Sequence, residues 1–312
     1  MMNILISGGT GMVGTALTNM LVKAGHRITI LTRNPATAKM KKGWEDQVSF
    51  AGWDVKGGKI DDGAVAAADG IVHLAGAGVV AEPWTDAYKK EILDSRINSS
   101  RLLLDSLARC KGSVKTFVSA SAIGWYGADG EDGKPPFTEN APFAPGFLGD
   151  TCHLWEESVK PITDMGLRLV ICRIGIVLST EGGALPEFNK PLNFRVAGVL
   201  GHGRQVVSWI HVQDLCEIFQ FALENETMSG IYNAVAPNPV TNKELTLALA
   251  GTRYGRAFIT LPVPPFVLHI MMGERSEEVL KSTTVSAEKI RGKGFKFTYP
   301  EINMALSQLI SP

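Results

Sequence analysis

The chain has 312 residues, of which 45% are apolar and 20% charged, and its 31 lysines and arginines balance 31 aspartates and glutamates. This composition is that of an ordinary globular protein, and a net charge of zero excludes the long-range field that attracts nucleic acids or anionic membranes. No targeting segment is visible at the start, and the most apolar stretch, residues 261–273, is too short to span a bilayer. We therefore expect neither a nucleic-acid nor a membrane partner.

The cysteines show neither the CxxC motif nor the Cys/His spacing of a metal site; they are Cys110, Cys152, Cys172 and Cys216. We therefore expect no metal, and a reduced, cytoplasmic protein whose thiols are mostly buried. No charge run or low-complexity tract suggests a disordered tail.

The first half of the chain alternates short apolar runs with helical patterns. The predicted strands are residues 3–8, 26–33, 48–55, 70–77, 115–127 and 167–179, and the predicted helices include residues 13–24, 85–110 and 151–164. Continuously apolar strands that alternate with helices indicate a parallel sheet covered on both faces. With right-handed crossovers this is a doubly wound Rossmann α/β fold, whose ligand site lies at the carboxyl ends of the strands.

The second half is less regular. Its pattern predicts a loop, a strand running into a helix, a strand and a helix, at residues 181–191, 206–215, 230–237 and 241–253. In the last of these, Thr241 is the cap candidate and Glu244 completes a capping box.

These patterns suggest two units. We interpret residues 1–235 as a nucleotide-binding Rossmann domain, with the loops of residues 181–205 contributing to the cleft. Residues 236–312 would form a smaller C-terminal substrate lobe over the sheet. The substrate cleft is then expected between the two.

A glycine cluster follows the first predicted strand. SGGTGMVG, residues 7–14, places glycines at positions 8, 11 and 14, between a strand and a helix. Such glycines permit a tight turn and let backbone N–H groups approach a pyrophosphate at the positive end of the helix. A purely structural glycine turn is the alternative, but the strand and helix around it favour dinucleotide binding.

The end of the second predicted strand indicates which dinucleotide is bound. Its sequence LTRN contains Thr32, Arg33 and Asn34 but no acid. An acid there usually binds the ribose hydroxyls of NAD, whereas a guanidinium can pair with the 2′-phosphate of NADP. We therefore expect NADP(H), unless Arg33 is simply a solvated surface residue. Asp54, at the end of the third strand, is placed to meet the adenine edge or to form a turn.

Four segments occur in the order and spacing of the extended short-chain dehydrogenase/reductases, which include sugar-nucleotide epimerases, and the chain resembles that group. They are SGGTGMVG, VHLAGA, FVSASAIGWYG and SWIHVQDL. More narrowly, the chain resembles the atypical "epimerase family protein" branch, sometimes labelled cell-division-inhibitor-like, through WTDAYKKEILDSRI (84–97), RIGIVLSTEGGALP (173–186) and GHGRQVVSWIHVQDL (201–215). Residues 261–306 look like the small domain of unknown function that ends this branch. The resemblance implies the Rossmann fold and NADP(H) binding.

The predicted cofactor contacts come from the glycine loop and from the carboxyl ends of the following strands. They are Gly8, Thr10, Gly11, Met12, Val13, Arg33, Asp54, Leu74, Ala75, Gly76 and Ser119.

The resemblance also implies a catalytic helix, but with altered residues. The superfamily uses a Tyr, a Lys four residues later that lowers the pKa of its phenol, and a Ser or Thr that orients the substrate oxygen. Alignment places Leu148 at the Tyr position and Cys152 at the Lys position, and Arg96 where an Asn is common. Leu148 has no proton to exchange, so it cannot replace the Tyr. A free phenol titrates near 10 and needs a neighbouring cation, and a neutral Cys152 cannot replace the Lys that supplies it. Ser121 alone remains.

Three residues are therefore the catalytic candidates: Ser121, Tyr126 and Cys152. The phenol of Tyr126 could enter the cleft, and Cys152 could become a thiolate beside a cation. Equally, Tyr126 is a packing aromatic with a hydrogen-bonded hydroxyl, and Cys152 a small apolar filler. Glu156 and Glu157 are expected on a solvated helix face.

Two further segments bear on ligands. Arg204 and Gln205, in the loop GHGRQ, could bind a phosphate or carboxylate of the substrate, or could form a plain surface turn. His211 and Asp214 are interpreted as a structural junction between a strand and a helix, in which Asp214 caps or pairs locally.

Two functions are consistent with these residues. The first is an NADP(H)-dependent oxidoreductase or epimerase-like protein that acts on an unknown small molecule. The second is a non-catalytic NADP(H)-binding module that signals the cofactor's redox state to a protein partner. A homodimer is also left open, and nucleic-acid binding is not expected because no basic and aromatic cluster occurs.

Overall fold

The computed structural model describes residues 1–110, 112–130 and 136–310. Its strands are β1 (Asn3–Ser7), β2 (Arg27–Thr32), β3 (Val48–Asp54), β4 (Lys59–Ile60), β5 (Gly70–His73), β6 (Thr116–Ala122), β7 (Arg168–Ile174), β8 (Ile176–Ser179), β9 (Gly182–Gly183), β10 (Val196–Leu200), β11 (Val206–Val207), β12 (Trp209–His211), β13 (Gly230–Ala234), β14 (Val240–Thr241) and β15 (Ile259–Val263). Its α-helices are α1 (Met12–Lys23), α2 (Asp62–Ala66), α3 (Asp86–Arg109), α4 (Phe147–Val159), α5 (Leu185–Leu192), α6 (Val212–Glu224), α7 (Asn242–Tyr254), α8 (Pro265–Met272), α9 (Arg275–Leu280), α10 (Glu288–Gly292) and α11 (Ile302–Ile310). Short 3₁₀ turns lie at Pro35–Thr37, Ile123–Trp125 and Lys160–Met165.

An eight-stranded sheet forms the centre, in the order β13-β7-β6-β5-β1-β2-β3-β4. All of its pairings are parallel except that of β4 with β3. The predicted doubly wound Rossmann fold is therefore confirmed. The chain runs outward from β1 to β3 and then crosses back to β5, on the other side of β1. This reversal opens a crevice at the carboxyl ends of β1 and β5, where such folds bind ligands.

Helices cover both faces of the sheet, because alternate residues of each buried strand point to opposite sides. Ile4 and Ile6 of β1 pack in one core cluster together with residues of α1 and α6. Leu5, between them, packs in a second cluster with residues of α2 and α3. The continuously apolar strands predicted from the sequence follow from this double coverage.

A third core cluster forms a second lobe. It joins Leu185 and Leu192 of α5 and Ala197 of β10 to residues of α7 and α11. Strand β10 also pairs in parallel with β15. Residues 185–200 thus share a core with residues 245–306, while the boundary predicted at residue 235 stays a prediction.

Residues 181–191, expected as a loop, contain most of α5, so that expectation is wrong. Pro186 occupies the first turn of α5, where a missing N–H costs nothing, and Pro191 lies in its last turn. Leu185, Phe188 and Leu192 have the helical spacing that turns one face of α5 toward the third cluster. The glycines and prolines in this segment conceal that spacing.

The predicted capping box is confirmed. Thr241 accepts a hydrogen bond from the backbone of Glu244, whose side chain accepts one in return from the backbone of Thr241. Among the described residues, none of the helices combines the length and apolar character needed to cross a bilayer.

Candidate active site

The glycine loop between β1 and α1 is closely packed. Gly8 has φ +73°, and a Cβ there would lie 2.9 Å from backbone atoms of Leu74 and Ala75. A Cβ on Gly14 would lie 2.3 Å from the carbonyl oxygen of Gly8. These two glycines therefore hold the loop against the end of β5 and bring α1 close to the strand.

The first turn of α1 is open where a cofactor phosphate would bind. Gly11 is the N-cap of α1 and has no side chain to cap it. Thr10 and Gly11 are exposed, whereas Met12 and Val13 are half-buried. A helix N-terminus whose amides meet no side chain is suited to a phosphate group. The loop thus fits a dinucleotide pyrophosphate on its own geometry.

The carboxyl ends of the next two strands lie at the same edge of the sheet. Arg33 follows β2 directly and is exposed. Asp54 ends β3, and its Oδ1 accepts a hydrogen bond of 3.0 Å from the N–H of Gly57. This bond is the turn that the sequence offered as one alternative for Asp54. A contact between Asp54 and adenine stays a prediction.

The loop after β5 completes the predicted cofactor edge. The N–H of Leu74 donates to the carbonyl of Ser7, so this loop is attached to the end of β1. Ala75 is half-buried and Gly76 exposed at the crevice. Ser119, in the neighbouring β6, is fully buried and its hydroxyl donates to the carbonyl of Ala120. A side-chain contact from Ser119 to the cofactor therefore stays a prediction.

A buried histidine that sequence reasoning missed holds these loops together. His73 Nδ1 lies 2.6 Å from Ser7 Oγ, and its Nε2 lies 3.2 Å from the hydroxyls of Ser99 and Ser100. The network joins β1, β5 and α3 directly beneath the glycine loop. Burial, with the nearby charge of Arg96, lowers the pKa of His73 to about 3, so its ring is neutral. A histidine at the end of an apolar strand was the available signal.

Helix α4 brings its aligned positions to the end of β6. Leu148, Cys152 and Glu156 are spaced by four residues and so lie on one face of α4. A Cβ on Gly124 would lie 3.2 Å from Leu148 Cβ and 3.6 Å from Cys152 Sγ. The hydroxyl of Ser121 donates to Glu156 Oε1 at 2.7 Å. The structure therefore brings Ser121 and the face of α4 together.

Cys152 lies in an environment that opposes ionisation. Its side chain is 4% exposed. Burial, reinforced by the carboxylate of Glu156, raises the pKa of the Cys152 thiol to about 12. The thiol is therefore protonated at neutral pH, as expected of an apolar filler and not of a nucleophile.

Tyr126 lies in the core of the Rossmann domain and not in the cleft. It is 0% exposed and stacks on Phe137. Its hydroxyl donates to Asn233 Oδ1 at 2.7 Å and accepts from Arg173 Nη1 at 2.9 Å. Burial raises the pKa of the phenol. This is the arrangement of a packing aromatic with a satisfied hydroxyl.

Glu156 is buried, so its expected place on a solvated helix face is wrong. Arg173 of β7 donates to both of its oxygens, from Nε at 2.8 Å and from Nη2 at 3.0 Å. Both side chains are almost fully buried, and the guanidinium stacks on the ring of Trp125, 3.7 Å from its centroid. An arginine within the apolar run LRLVICRIGIV was the signal that a buried partner existed.

The loop GHGRQ belongs to the second lobe. Arg204 is exposed, and its backbone N–H donates to His202 Nδ1 at 3.0 Å, which closes a surface turn. Gln205 is fully buried and donates from Nε2 to the carbonyl of Leu200. The guanidinium of Arg204 is thus accessible, and its role toward substrate stays a prediction.

The junction at His211 is structural, as expected, but the cap of the helix is His211 and not Asp214. His211 caps α6 by accepting from the N–H of Gln213. Asp214 accepts instead from the distant N–H groups of Thr298 and Tyr299, and so ties α6 to the C-terminal segment.

We expect Glu156→Gln to destabilise the fold strongly. The change leaves Arg173 as a buried charge without a carboxylate, which costs about 3–5 kcal/mol. Glu157→Gln, one residue along the same helix, removes a half-exposed pair with Lys160 and should cost less than about 1 kcal/mol. Urea unfolding of both variants measures the difference, and equal losses would contradict the assigned pairing.

We also expect His73 to make stability depend on pH. The folded pKa of about 3 lies below the ordinary value of 6.5, so the unfolded chain binds the proton more tightly. The stabilisation by neutral His73 is complete above pH 6.5 and is lost as pH falls toward 3, by up to about 1.4 kcal/mol per pH unit.

The measurement compares the unfolding free energies of the unaltered protein and His73→Asn between about pH 7.5 and pH 5. Their difference should shrink as pH falls. Asp214, whose pKa burial raises to about 6, is present in both proteins and cancels. Parallel pH curves would show that His73 is not held neutral.

Comparisons with known proteins agree with this architecture. The model of the NAD dependent epimerase/dehydratase family matches residues 4–234, and that of a domain of unknown function (DUF1731) matches residues 263–309. Epimerase family protein YfhF of Bacillus subtilis is 37% identical, over 99% of this chain and 98% of the relative. Epimerase family protein SAR0825 of Staphylococcus aureus is 35% identical over the full length of both chains.

A solved structure is similar over the whole chain. The human epimerase family protein SDR39U1, crystallised with NADPH, superposes with a TM-score of 0.85 at 28% identity, over 99% of each chain. The similarity covers both the central sheet and the C-terminal lobe of this chain. The chain belongs to the NAD dependent epimerase/dehydratase family, in its epimerase family protein branch with the C-terminal domain of unknown function.

Proposed function

We propose that this protein is an NADP(H)-dependent oxidoreductase or epimerase-like enzyme that acts on a small molecule. The observation that carries the proposal is the glycine cradle at α1 together with exposed Arg33, at a strand end that has no acid. That the human relative was crystallised with NADPH supports the choice of phosphorylated cofactor. The four free cysteines support a cytoplasmic location.

Each part of the cradle would hold one part of the cofactor. The N–H groups at the start of α1, from Met12 onward, would bind the pyrophosphate, and the Arg33 guanidinium would pair with the 2′-phosphate. When bound, NADP(H) supplies or accepts a hydride. The remaining chemistry, which is the movement of a proton, falls to the side chains of this chain.

Ser121 is the candidate that we assign to that proton: it is 2% exposed, much as Tyr126 and Cys152 are, but of the three it alone contacts a carboxylate within the described ranges. Its hydroxyl donates to Glu156, so its oxygen is free to accept a hydrogen bond from a substrate hydroxyl. A proton taken up at Ser121 Oγ can be matched by one passed to Glu156 Oε1, 2.7 Å away, and this transfer is transient because a protonated Glu156 leaves Arg173 as an unpaired buried charge. Arg173 holds that carboxylate in place from the other side. Neither Tyr126 nor Cys152 has a comparable arrangement.

The second candidate function is a non-catalytic NADP(H) sensor that acts through a protein partner. The face of α4 that carries Leu148 and Cys152 favours this function, because Leu148 has no proton to exchange and burial keeps the Cys152 thiol protonated. Losing a positioned acid or base costs about 10²–10⁴-fold in rate. A partner whose affinity changes between NADP⁺ and NADPH would support this function.

We expect NADP(H) to bind more tightly than NAD(H), and Arg33→Ala to remove the difference. A charge-assisted contact to the 2′-phosphate contributes about 1.5–3 kcal/mol. Arg27, at the opposite end of β2, is also exposed, so Arg27→Ala is the matched control for the loss of one positive charge. Calorimetry with both cofactors measures the effect. Equal affinities for NADP⁺ and NAD⁺ in the unaltered protein would rule out the role of Arg33.

We expect the NADP-loaded protein to leave UDP- and dTDP-sugars unepimerised, because the proton-transfer pair is missing. If a panel of small hydroxy compounds yields a substrate, Ser121→Ala should lower the rate about 10²–10⁴-fold, whereas Cys152→Ala should leave it nearly unchanged. Cofactor absorbance and product analysis measure both rates. Full activity in folded Ser121→Ala would show that another group carries the proton.

A further inference from the structure

Arg96 of α3 is buried at the crevice. It is 9% exposed, and its guanidinium carbon lies 4.9 Å from the ring centroid of Trp155 on α4. A Cβ on Gly76 would lie 3.1 Å from the same carbon. The side chain is thus wedged between the loop that follows β5 and the helix that carries Cys152 and Glu156.

The charge of Arg96 has no carboxylate partner in residues 1–110, 112–130 and 136–310. Arg173, which is buried to a similar degree, has Glu156. Burial lowers the pKa of Arg96; the groups whose charges favour its protonated form are a thiol and a phenol, those of Cys152 and Tyr88, and not a carboxylate. A buried cation without a counter-charge costs free energy, so binding of a negatively charged ligand beside it would be favourable.

Only one nitrogen of the Arg96 guanidinium donates hydrogen bonds within the described part of the chain. Both of its hydrogen bonds come from Nη1, to the carbonyls of Ile92 at 2.9 Å and Ala77 at 3.0 Å. Within the described part of the chain, Nε and Nη2 donate to no protein atom. The N–H groups of Nε and Nη2 form the edge of a guanidinium that matches two oxygens of a carboxylate or phosphate.

We propose that Arg96 binds an anionic oxygen group of the substrate, a carboxylate or a phosphate, through its Nε and Nη2 edge. This inference rests on the proposed function, since it assigns a substrate class to the same crevice. The cofactor's own phosphates are expected at Gly11 and Arg33, beyond β1 and on the other side of the crevice. Arg96 stands instead on the side of β5 and α4, against Gly76 and Trp155 and near Cys152.

The experiment titrates malonate and, separately, inorganic phosphate into NADP⁺-saturated protein by calorimetry at constant ionic strength. We expect at least one probe to bind, with a dissociation constant on the order of 1 mM. Arg96→Gln should weaken that binding at least tenfold, and Arg96→Lys less, because it keeps the charge but loses the fork. Arg101→Gln, an exposed arginine on the same helix, should leave it unchanged.

The outcomes are separable. If NADP⁺ does not bind the unaltered protein, the proposed function fails before Arg96 is tested. If NADP⁺ binds but neither probe does, or if folded Arg96→Gln and Arg101→Gln bind them alike, the assignment to Arg96 is overturned. If Arg96→Gln weakens NADP⁺ as much as the probes, the anion at Arg96 belongs to the cofactor, which also overturns it. Should Arg96→Gln not fold, Arg96→Lys and the unaltered protein decide the question.

Discussion

The buried ion pair between Glu156 and Arg173 fixes the position of α4 against the sheet, and the candidate site depends on that position. Arg173 of β7 donates hydrogen bonds to Glu156 of α4 and to the hydroxyl of Tyr126. Glu156 also accepts a hydrogen bond from the hydroxyl of Ser121. A buried pair of this kind contributes little net stability over apolar residues of the same size, but its two hydrogen bonds join α4 to β7 in a defined geometry. Specific placement of one helix is therefore its main effect here. Leu148 and Cys152, which the sequence interpretation placed at the superfamily's catalytic positions, lie on that helix.

The other half of the site is organised by close backbone approach. Gly8 and Gly14 let β1, α1 and the loop after β5 come within van der Waals contact, and His73 at the end of β5 is joined by hydrogen bonds to β1 and α3. This part of the chain forms the cradle in which we propose that the cofactor binds. The two halves thus differ: the glycine side offers open backbone amides at the start of α1, and the α4 side presents Leu148 and a Cys152 thiol that burial keeps protonated.

Local patterns allowed much of this to be predicted. The parallel sheet follows from continuously apolar strands, the phosphate loop from glycines between a strand and a helix, and the cap of α7 from Thr241 and Glu244. What escaped prediction depends on partners distant in the chain. Glu156 looks like a solvated charge until Arg173, on a separate strand, is placed beside it. Helix α5 was hidden because it contains Pro186 and Pro191, and only the first turn, where Pro186 lies, accommodates a proline without cost.

The third core cluster has a consequence for how the protein is made. Its residues come from α5 and β10 and again from α7 and α11, with β13 of the central sheet between them in the chain. During synthesis, Leu185, Leu192 and Ala197 leave the ribosome long before Ile302 and Leu306 exist to cover them. Apolar surface of the second lobe therefore stays exposed until the C-terminal helices are made, and the first core cluster also lacks Val285, Ala287 and Ile290 until then. In a domain-by-domain folding pathway that interval is the one most prone to aggregation, and the one in which a chaperone has most to bind.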